Sequence, residues 1–138
     1  MNNNGTWSQE AYIKSSNVRI NDLFGIRLAI SRDGNVLVAS SMLQGGGGRG
    51  PGASQQDFSA EESGAVYVFT RAGTTWTQRA YLKSPNSDAY DEFGSGVAMS
   101  GDASTLAIAA FGEDGGSSGV GGNMSDNSIR ASGAVYVY

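Results

Sequence analysis

Side chains that could carry out chemistry are few in this chain, and the usual activators of a nucleophile are missing. The 138 residues include no histidine and no cysteine. A serine nucleophile normally needs an imidazole base, and thiolate chemistry needs cysteine. The string Gly-x-Ser-x-Gly, from Gly115 to Gly119, therefore lacks the base that a hydrolase requires. These absences predict that the protein is not an enzyme.

A second string with the spacing of a catalytic or cofactor motif is Gly45-x-Gly47-x-x-Gly50. It matches the dinucleotide-binding fingerprint, in which the glycine-rich turn opens a helix that carries the phosphates. Here Pro51 and Gly52 stand where that helix should begin. We therefore interpret the string as part of a flexible loop.

Carboxylates are the remaining candidates, and Ca²⁺ is the cofactor that they suggest. Asp33 and Asp102 each follow a predicted strand, but one carboxylate cannot supply the six to eight oxygens that Ca²⁺ takes, so we interpret both as turn-capping residues. Glu113, Asp114 and Asp126 share one long loop in the second half of the chain. These three are the predicted metal ligands.

Charge and hydropathy exclude several classes of protein. The net charge is −4, and the nine lysines and arginines are scattered singly, whereas a nucleic-acid binder usually shows a basic patch. No apolar run approaches the length of a membrane-spanning helix. The first residues lack the basic and apolar regions of a signal peptide. We expect no nucleic-acid partner and no membrane span.

An internal repeat sets the organisation of the chain. Residues 7–69 have counterparts about 69 positions later, so that Trp7 corresponds to Trp76, and roughly two in five of the paired residues are identical. The alignment predicts an N-terminal tail at 1–6, a first repeat at 7–75 and a second repeat at 76–138.

Short apolar runs separated by glycine-rich turns predict an all-β fold with no helix. The predicted strands are 25–30, 36–41 and 65–69 in the first repeat, 76–83 at the start of the second as the fourth strand of the same sheet, and then 94–99, 105–110 and 134–138. The strand at 65–69 and the strand at 106–110 are apolar on both faces, so a second layer must cover each face. Four-stranded antiparallel sheets stacked in this way are β-propeller blades, and we predict two of them.

Several motifs, in the right order, resemble those of bacterial FG-GAP repeats, which are related to the blades of the integrin α-chain propeller. They are Asp-x-Phe-Gly at 91–94, the strands and turns at 97–102 and 106–114, and Ser-Gly-Ala-Val-Tyr-Val-Tyr at 132–138. The resemblance covers nearly the whole chain from Trp7 to Tyr138. It implies a propeller, an extracellular or cell-surface location, a role in cell adhesion or ligand recognition, and no catalysis.

Two blades cannot close a propeller. The first repeat opens with an unpaired fourth strand, from Trp7 to Lys14, and the second ends on a third strand, from Ala134 to Tyr138. Pairing of these two strands between neighbouring chains would remove both exposed edges and could close a ring of three or four chains. The alternative is that missing sequence in a longer array completes the ring.

Binding residues are expected on the loops that follow the second strand of each repeat, at 45–62 and 112–131, because these loops are long and differ between the repeats. The predicted function is a non-catalytic extracellular binding or adhesion module with a protein or glycan ligand; the alternative is a self-assembling scaffold without a ligand. The candidate contact residues are Gly45, Arg49, Gln55, Asp57, Gly115, Asn123 and Asp126.

Overall fold

The computed structural model describes residues 2–3 and 5–138, and the regular elements in this part of the chain are all β-strands. Of the predicted tail, residues 1 and 4 lie outside the described residues. Strands β1 (Asn2–Asn3) and β2 (Thr6–Trp7) form a short antiparallel hairpin. The all-β prediction is confirmed.

The first sheet is four-stranded and antiparallel, and it combines three strands of the first repeat with the strand that opens the second. Its strands follow chain order as β3 (Leu28–Ile30), β4 (Val36–Ser41), β5 (Ala65–Ala72) and β6 (Thr75–Leu82). β6 alternates between exposed and half-buried residues along most of its length, as expected of an outer strand with one solvated face. We call this sheet the first blade.

The second repeat contributes a three-stranded antiparallel sheet, the second blade. It consists of β7 (Phe93–Met99), β8 (Leu106–Ala110) and β9 (Ala134–Val137). β9 pairs with β8 on one side only, so its other edge has no strand beside it in the described chain. The predicted fourth strand of this blade is therefore absent from the chain's own sheet.

The prediction of a strand from Trp7 to Lys14 is wrong for the single chain. Only Thr6–Trp7 is a strand, and it pairs with Asn2–Asn3, while residues 8–14 join no sheet. A strand needs a neighbouring backbone for its ladder of hydrogen bonds. The open edge of β9 belongs to the second blade, whereas residues 8–14 lie against the first blade, so the two do not meet within one chain.

The turns between the first and second strands are built alike in the two repeats. Asp33 Oδ1 accepts hydrogen bonds from Ser31 Oγ at 2.5 Å and from the Asn35 N–H at 3.0 Å. Asp102 Oδ1 accepts from Ser100 Oγ at 2.6 Å. These donors, the serine hydroxyl first, lower the pKa of each aspartate to about 2. The turn-capping interpretation of the two aspartates is confirmed.

The main core lies between the two blades. It is formed by fully or nearly fully buried side chains from both sheets: Val38, Val66, Leu82, Phe93, Leu106, Ile108 and Ala110. Val66 turns toward the second blade, and its neighbour Tyr67 turns toward the opposite face, yet neither has any exposed surface. A strand that is apolar on both faces is therefore covered on both, as the sequence predicted.

A second cluster covers the outer face of the first blade. Tyr67 and Phe69 pack there against Phe24, whose ring centroid lies 5.4 Å from that of Tyr67 in an edge-on arrangement. Ile13 joins this cluster, and Glu10 accepts a hydrogen bond from Trp76 Nε1 at 3.0 Å. Residues 10–13 thus lie along the face that points away from the second blade.

Candidate functional site

The two long loops, 42–64 and 111–133, meet at one end of the blades. Asp88, in the segment that leads into β7, joins them: Arg49 Nη2 of the first loop lies 3.0 Å from its Oδ1, and Asn127 Nδ2 of the second donates to its Oδ2 at 2.9 Å. Arg49 and Asp88 both remain about half exposed. The loops are therefore joined through Asp88 into one surface that spans both blades.

Local turns hold each loop in shape, contrary to the expectation of a flexible segment. Asp57 Oδ1 accepts from the Ser59 N–H at 3.0 Å, and Asp126 Oδ1 accepts from the Ser128 N–H at 3.1 Å. Serine hydroxyls also donate to both aspartates, and these bonds lower the pKa of each carboxyl group. A side chain at Gly47 would overlap the Ser59 hydroxyl, so this glycine allows a close approach within the loop.

The candidate contact residues divide into two groups. Arg49 and Asn123 are exposed, while the other five are half-buried. The half-buried residues serve the loops themselves: the Gln55 carbonyl, for example, accepts from Asn17 Nδ2 at 3.1 Å. Arg49 and Asn123 are therefore the two that present the most side chain to a ligand.

The three predicted metal ligands do not converge. Glu113 is buried and accepts from Asn86 Nδ2 at 2.8 Å, whereas Asp114 Oδ1 accepts from the Ala131 N–H at 2.7 Å. Asp126 is engaged in its own turn. Within the described residues no group of three or more acidic, histidine or cysteine side chains is placed to hold a metal ion. The carboxylates in this loop do not fit a Ca²⁺ site.

A buried lysine at the junction of the blades is a feature that the sequence analysis missed. Lys83 has no exposed surface, and its Nζ donates to Ser63 Oγ at 2.7 Å and to the Gly64 carbonyl. Burial lowers the pKa of Lys83 to about 7, and the nearby carboxylates of Asp91 and Asp57 oppose this shift. The signal in the sequence is the repetition of lysine at the same place in both repeats.

A buried aspartate occupies the same place in each repeat, and the one in the second repeat, Asp91, lies near this lysine. Asp91 Oδ2 accepts from the Asp88 N–H at 2.8 Å, and Asp22 accepts in the same way from the Arg19 N–H at 3.1 Å. Each carboxylate thereby accepts a backbone N–H at the entry to the first strand of its blade. Burial, reinforced by the charge of Glu113, raises the pKa of Asp91 to about 7.

Each repeat also contains a partly buried pair of a tyrosine and an asparagine. The Tyr67 hydroxyl donates to Asn17 Oδ1 at 2.6 Å, and its counterpart Tyr136 donates to Asn86 Oδ1 at 2.7 Å. This similarity extends the repeat from the sequence to the side-chain contacts of the two blades.

Comparison with known proteins identifies one family. Residues 76–138 match the family model described as FG-GAP repeat. No curated protein and no solved structure matches the chain. None of the described residues belongs to a helix that is long and apolar enough to cross a membrane.

Proposed function

Residues 76–138 are an FG-GAP repeat, and on that premise we propose that the chain is a non-catalytic binding or adhesion module that forms part of a β-propeller. FG-GAP repeats form propeller blades, and both sheets of this chain have the antiparallel order of a blade. The observation that carries the proposal is the loop surface joined through Asp88, which spans both blades. Loops on a β scaffold are where recognition residues concentrate.

The ligand proposed for this surface is a protein or a glycan. The exposed side chains that it offers are mainly hydrogen-bonding groups, with Arg49 and Asn123 the most accessible of the predicted contacts. Arg19 stacks over the ring of Phe58 at 4.0 Å beside the first loop, which adds a cationic and an aromatic group. Aromatic and polar groups together suit both ligand classes.

We further propose that the module acts outside the cell or at its surface, as FG-GAP repeats typically do. The absence of catalysis belongs to the same proposal. It rests on the lack of histidine and cysteine in the chain and on the engagement of the carboxylates in turns and buried contacts.

The binding role can be tested on glycan and protein arrays. The double substitution Arg49→Ala and Asn123→Ala should abolish binding, because it removes the two most accessible polar side chains of the surface. Arg79→Ala is the matched control, since it removes an exposed charge from β6, away from the loops. Binding that is unchanged in the double variant would remove this proposal.

A self-assembling scaffold is the second candidate, and the open edge of the second blade favours it. Val135 and Val137 on β9 are 67% and 69% exposed, whereas Val66, the counterpart of Val135, has no exposed surface. An exposed apolar strand edge favours pairing with another chain. In this candidate function, residues 7–14 of one chain pair with β9 of the next.

A further inference from the structure

We propose that the contact between the two blades of one chain is repeated between chains, so that a second copy docks on the open face of the second blade. The proposal deepens the scaffold candidate and rests on it. One copy contributes the segment 7–25, and the other contributes β9 with the loop before it. The contact inside the chain serves as the template.

The template is a backbone joint between the end of the first loop and the entry to β7. The Gly64 and Phe93 backbones also form a parallel bridge there. Three hydrogen bonds close the joint, each from a backbone N–H at the entry to β7 to a backbone carbonyl at the end of the first loop. They join Tyr90 to Glu61 at 2.8 Å, Glu92 to Glu62 at 3.0 Å, and Phe93 to Ser63 at 3.0 Å.

The counterparts of these six groups are present in the chain but do not meet. On one side they are the N–H groups of Asn21, Leu23 and Phe24, and on the other the carbonyls of Arg130, Ala131 and Ser132. Within the described chain no backbone carbonyl accepts from those three N–H groups. One chain therefore carries both halves of a joint that it does not make itself.

Both halves already have the backbone conformation of the closed joint. Asn21 and Leu23 have φ angles of +64° and +52°, close to the +69° and +54° of Tyr90 and Glu92. On the other side, Ala131 has φ +49°, against +51° for Glu62 in the template. Left-handed conformations are unfavourable for residues other than glycine. Their presence on both sides means that docking requires little change of backbone.

The side chains at the open face match those of the template. Lys14 is exposed, and its counterpart Lys83 donates to the hydroxyl of Ser63 and the carbonyl of Gly64. The corresponding acceptors on the second blade are Ser132, which is exposed, and the Gly133 carbonyl. A lysine from a second copy can thus fill the place that Lys83 fills within the chain.

Tyr12 has a matching partner as well. Its counterpart Tyr81 donates its hydroxyl to Gln44 Oε1 at 3.0 Å, and the counterpart of Gln44 is Glu113. Tyr12 is 81% exposed in the single chain. Glu113 accepts from Asn86 and has further lone pairs for a tyrosine hydroxyl. A carboxylate in place of the amide makes this contact between chains a charge-assisted hydrogen bond.

The occupant is a second copy because the complementary face lies on the same chain. In the template, Val66 pairs with Leu82 and Val68 with Ala80. The corresponding pairs between chains are Val135 with Ile13 and Val137 with Ala11. The half-buried carboxylate of Asp126, the counterpart of the Asp57 that acts on Lys83, complements the positive charge of Lys14. Such head-to-tail contacts either close into a ring or grow into a filament.

Gly133→Ala tests the joint, and within the single chain it adds only the strain of an alanine at a φ of +77°. An alanine at the template position, Gly64, would overlap the backbone of Phe93. At Gly133 the nearest atom to an added Cβ is the Phe111 carbonyl oxygen at 3.6 Å, an ordinary contact. The added Cβ therefore has space within one chain and blocks the approach of another, and its backbone strain is matched by a control with the same strain. Gly119→Ala is the control, because it has a similar φ of +84° and nothing within 4 Å of the added Cβ.

Light scattering gives the molar mass of each variant. For the wild type and for Gly119→Ala we expect three or four times the chain mass of 14.3 kDa. For Gly133→Ala we expect the mass of one chain. Circular dichroism checks that all three proteins are folded. A single-chain mass for the wild type, or an unchanged assembly for folded Gly133→Ala, would overturn the proposal. Ligand binding by the loop surface is measured separately on the arrays. A failure of the binding role can therefore be distinguished from a failure of self-association.

Tyr12→Phe tests the side-chain contact by removing only the hydroxyl group. We expect self-association to weaken about tenfold, the change that corresponds to about 1.4 kcal/mol for a hydrogen bond to a charged group. Tyr90→Phe is the matched control, because it removes a tyrosine hydroxyl that donates to Glu61 within one chain at 2.6 Å. Equal association constants for the two variants would exclude Tyr12 from the contact.

Discussion

At the scale of single residues, the most informative group is the lysine enclosed between the blades. Lys83 is fully buried and donates to a hydroxyl and to a backbone carbonyl rather than forming a close ion pair. Removing an ammonium group from water disfavours its charged form, which explains the lowered pKa. The stability of the blade junction should therefore depend on pH above neutrality.

The sign of that dependence follows from the proton balance. Between pH 7 and pH 10.5 the unfolded chain still holds the Lys83 proton, whereas the folded chain has released it. Stability should rise with pH across this window, by at most about 1.4 kcal/mol per pH unit. Lys83→Met should remove this rise. Urea unfolding at several pH values from 7 to 9.5 measures both slopes, and equal slopes would show that Lys83 titrates normally.

The sequence identified some residue roles and missed others. Asp33 and Asp102 follow predicted strands in both repeats, so their capping of a turn could be predicted from local pattern. The burial of Lys83 and Glu113 could not, because it depends on how one blade lies against the other. The grouping of Glu113, Asp114 and Asp126 as metal ligands overlooked the local backbone N–H groups that bind the two aspartates.

At the scale of elements, strand positions followed from the apolar runs and their turns. β4 (Val36–Ser41) has the predicted bounds, and β6 (Thr75–Leu82) is displaced by one residue. β3 begins at Leu28 rather than at residue 25, although Gly25 N–H still donates to the Ser40 carbonyl at 2.8 Å. Residues 8–14 failed to form the predicted strand because strand formation requires a partner that sequence periodicity does not reveal.

The joint between the two blades depends on the close approach of Gly64 and Phe93. Gly64 has φ +80°, and an added Cβ would overlap the Phe93 backbone, which cannot move without separating the sheets. Gly64→Ala should reduce the free energy of unfolding by on the order of 3 kcal/mol or more. Gly73→Ala, with φ +62° and open space around it, should cost about 1 kcal/mol. Chemical denaturation compares the two, and equal losses would contradict the role of this joint.

At the scale of the whole molecule, the chain presents two different faces. The outer face of the first blade carries residues 10–13 and Phe24, and the open face of the second blade carries the exposed edge of β9. The family match over 76–138 and the order of the sheets account for the blades themselves. Over residues 76–138 the family match confirms the resemblance to FG-GAP repeats that the sequence motifs indicated. The fit between the two faces required the backbone angles and hydrogen bonds of the folded chain.

Cross-linking tests most directly whether the two faces meet between chains, because the natural chain contains no cysteine. The test variant combines Ala11→Cys with Val137→Cys, which places one thiol on each residue of a pair predicted between chains. The control variant combines Ala80→Cys with Val68→Cys, which places both thiols on a pair observed within one chain. After mild oxidation, the first variant should run on a non-reducing gel as a ladder of multiples of 14.3 kDa, and the second as a single chain with an internal disulfide. If the first variant instead remains a single chain while the second forms its disulfide, the two faces do not pair and the account is contradicted.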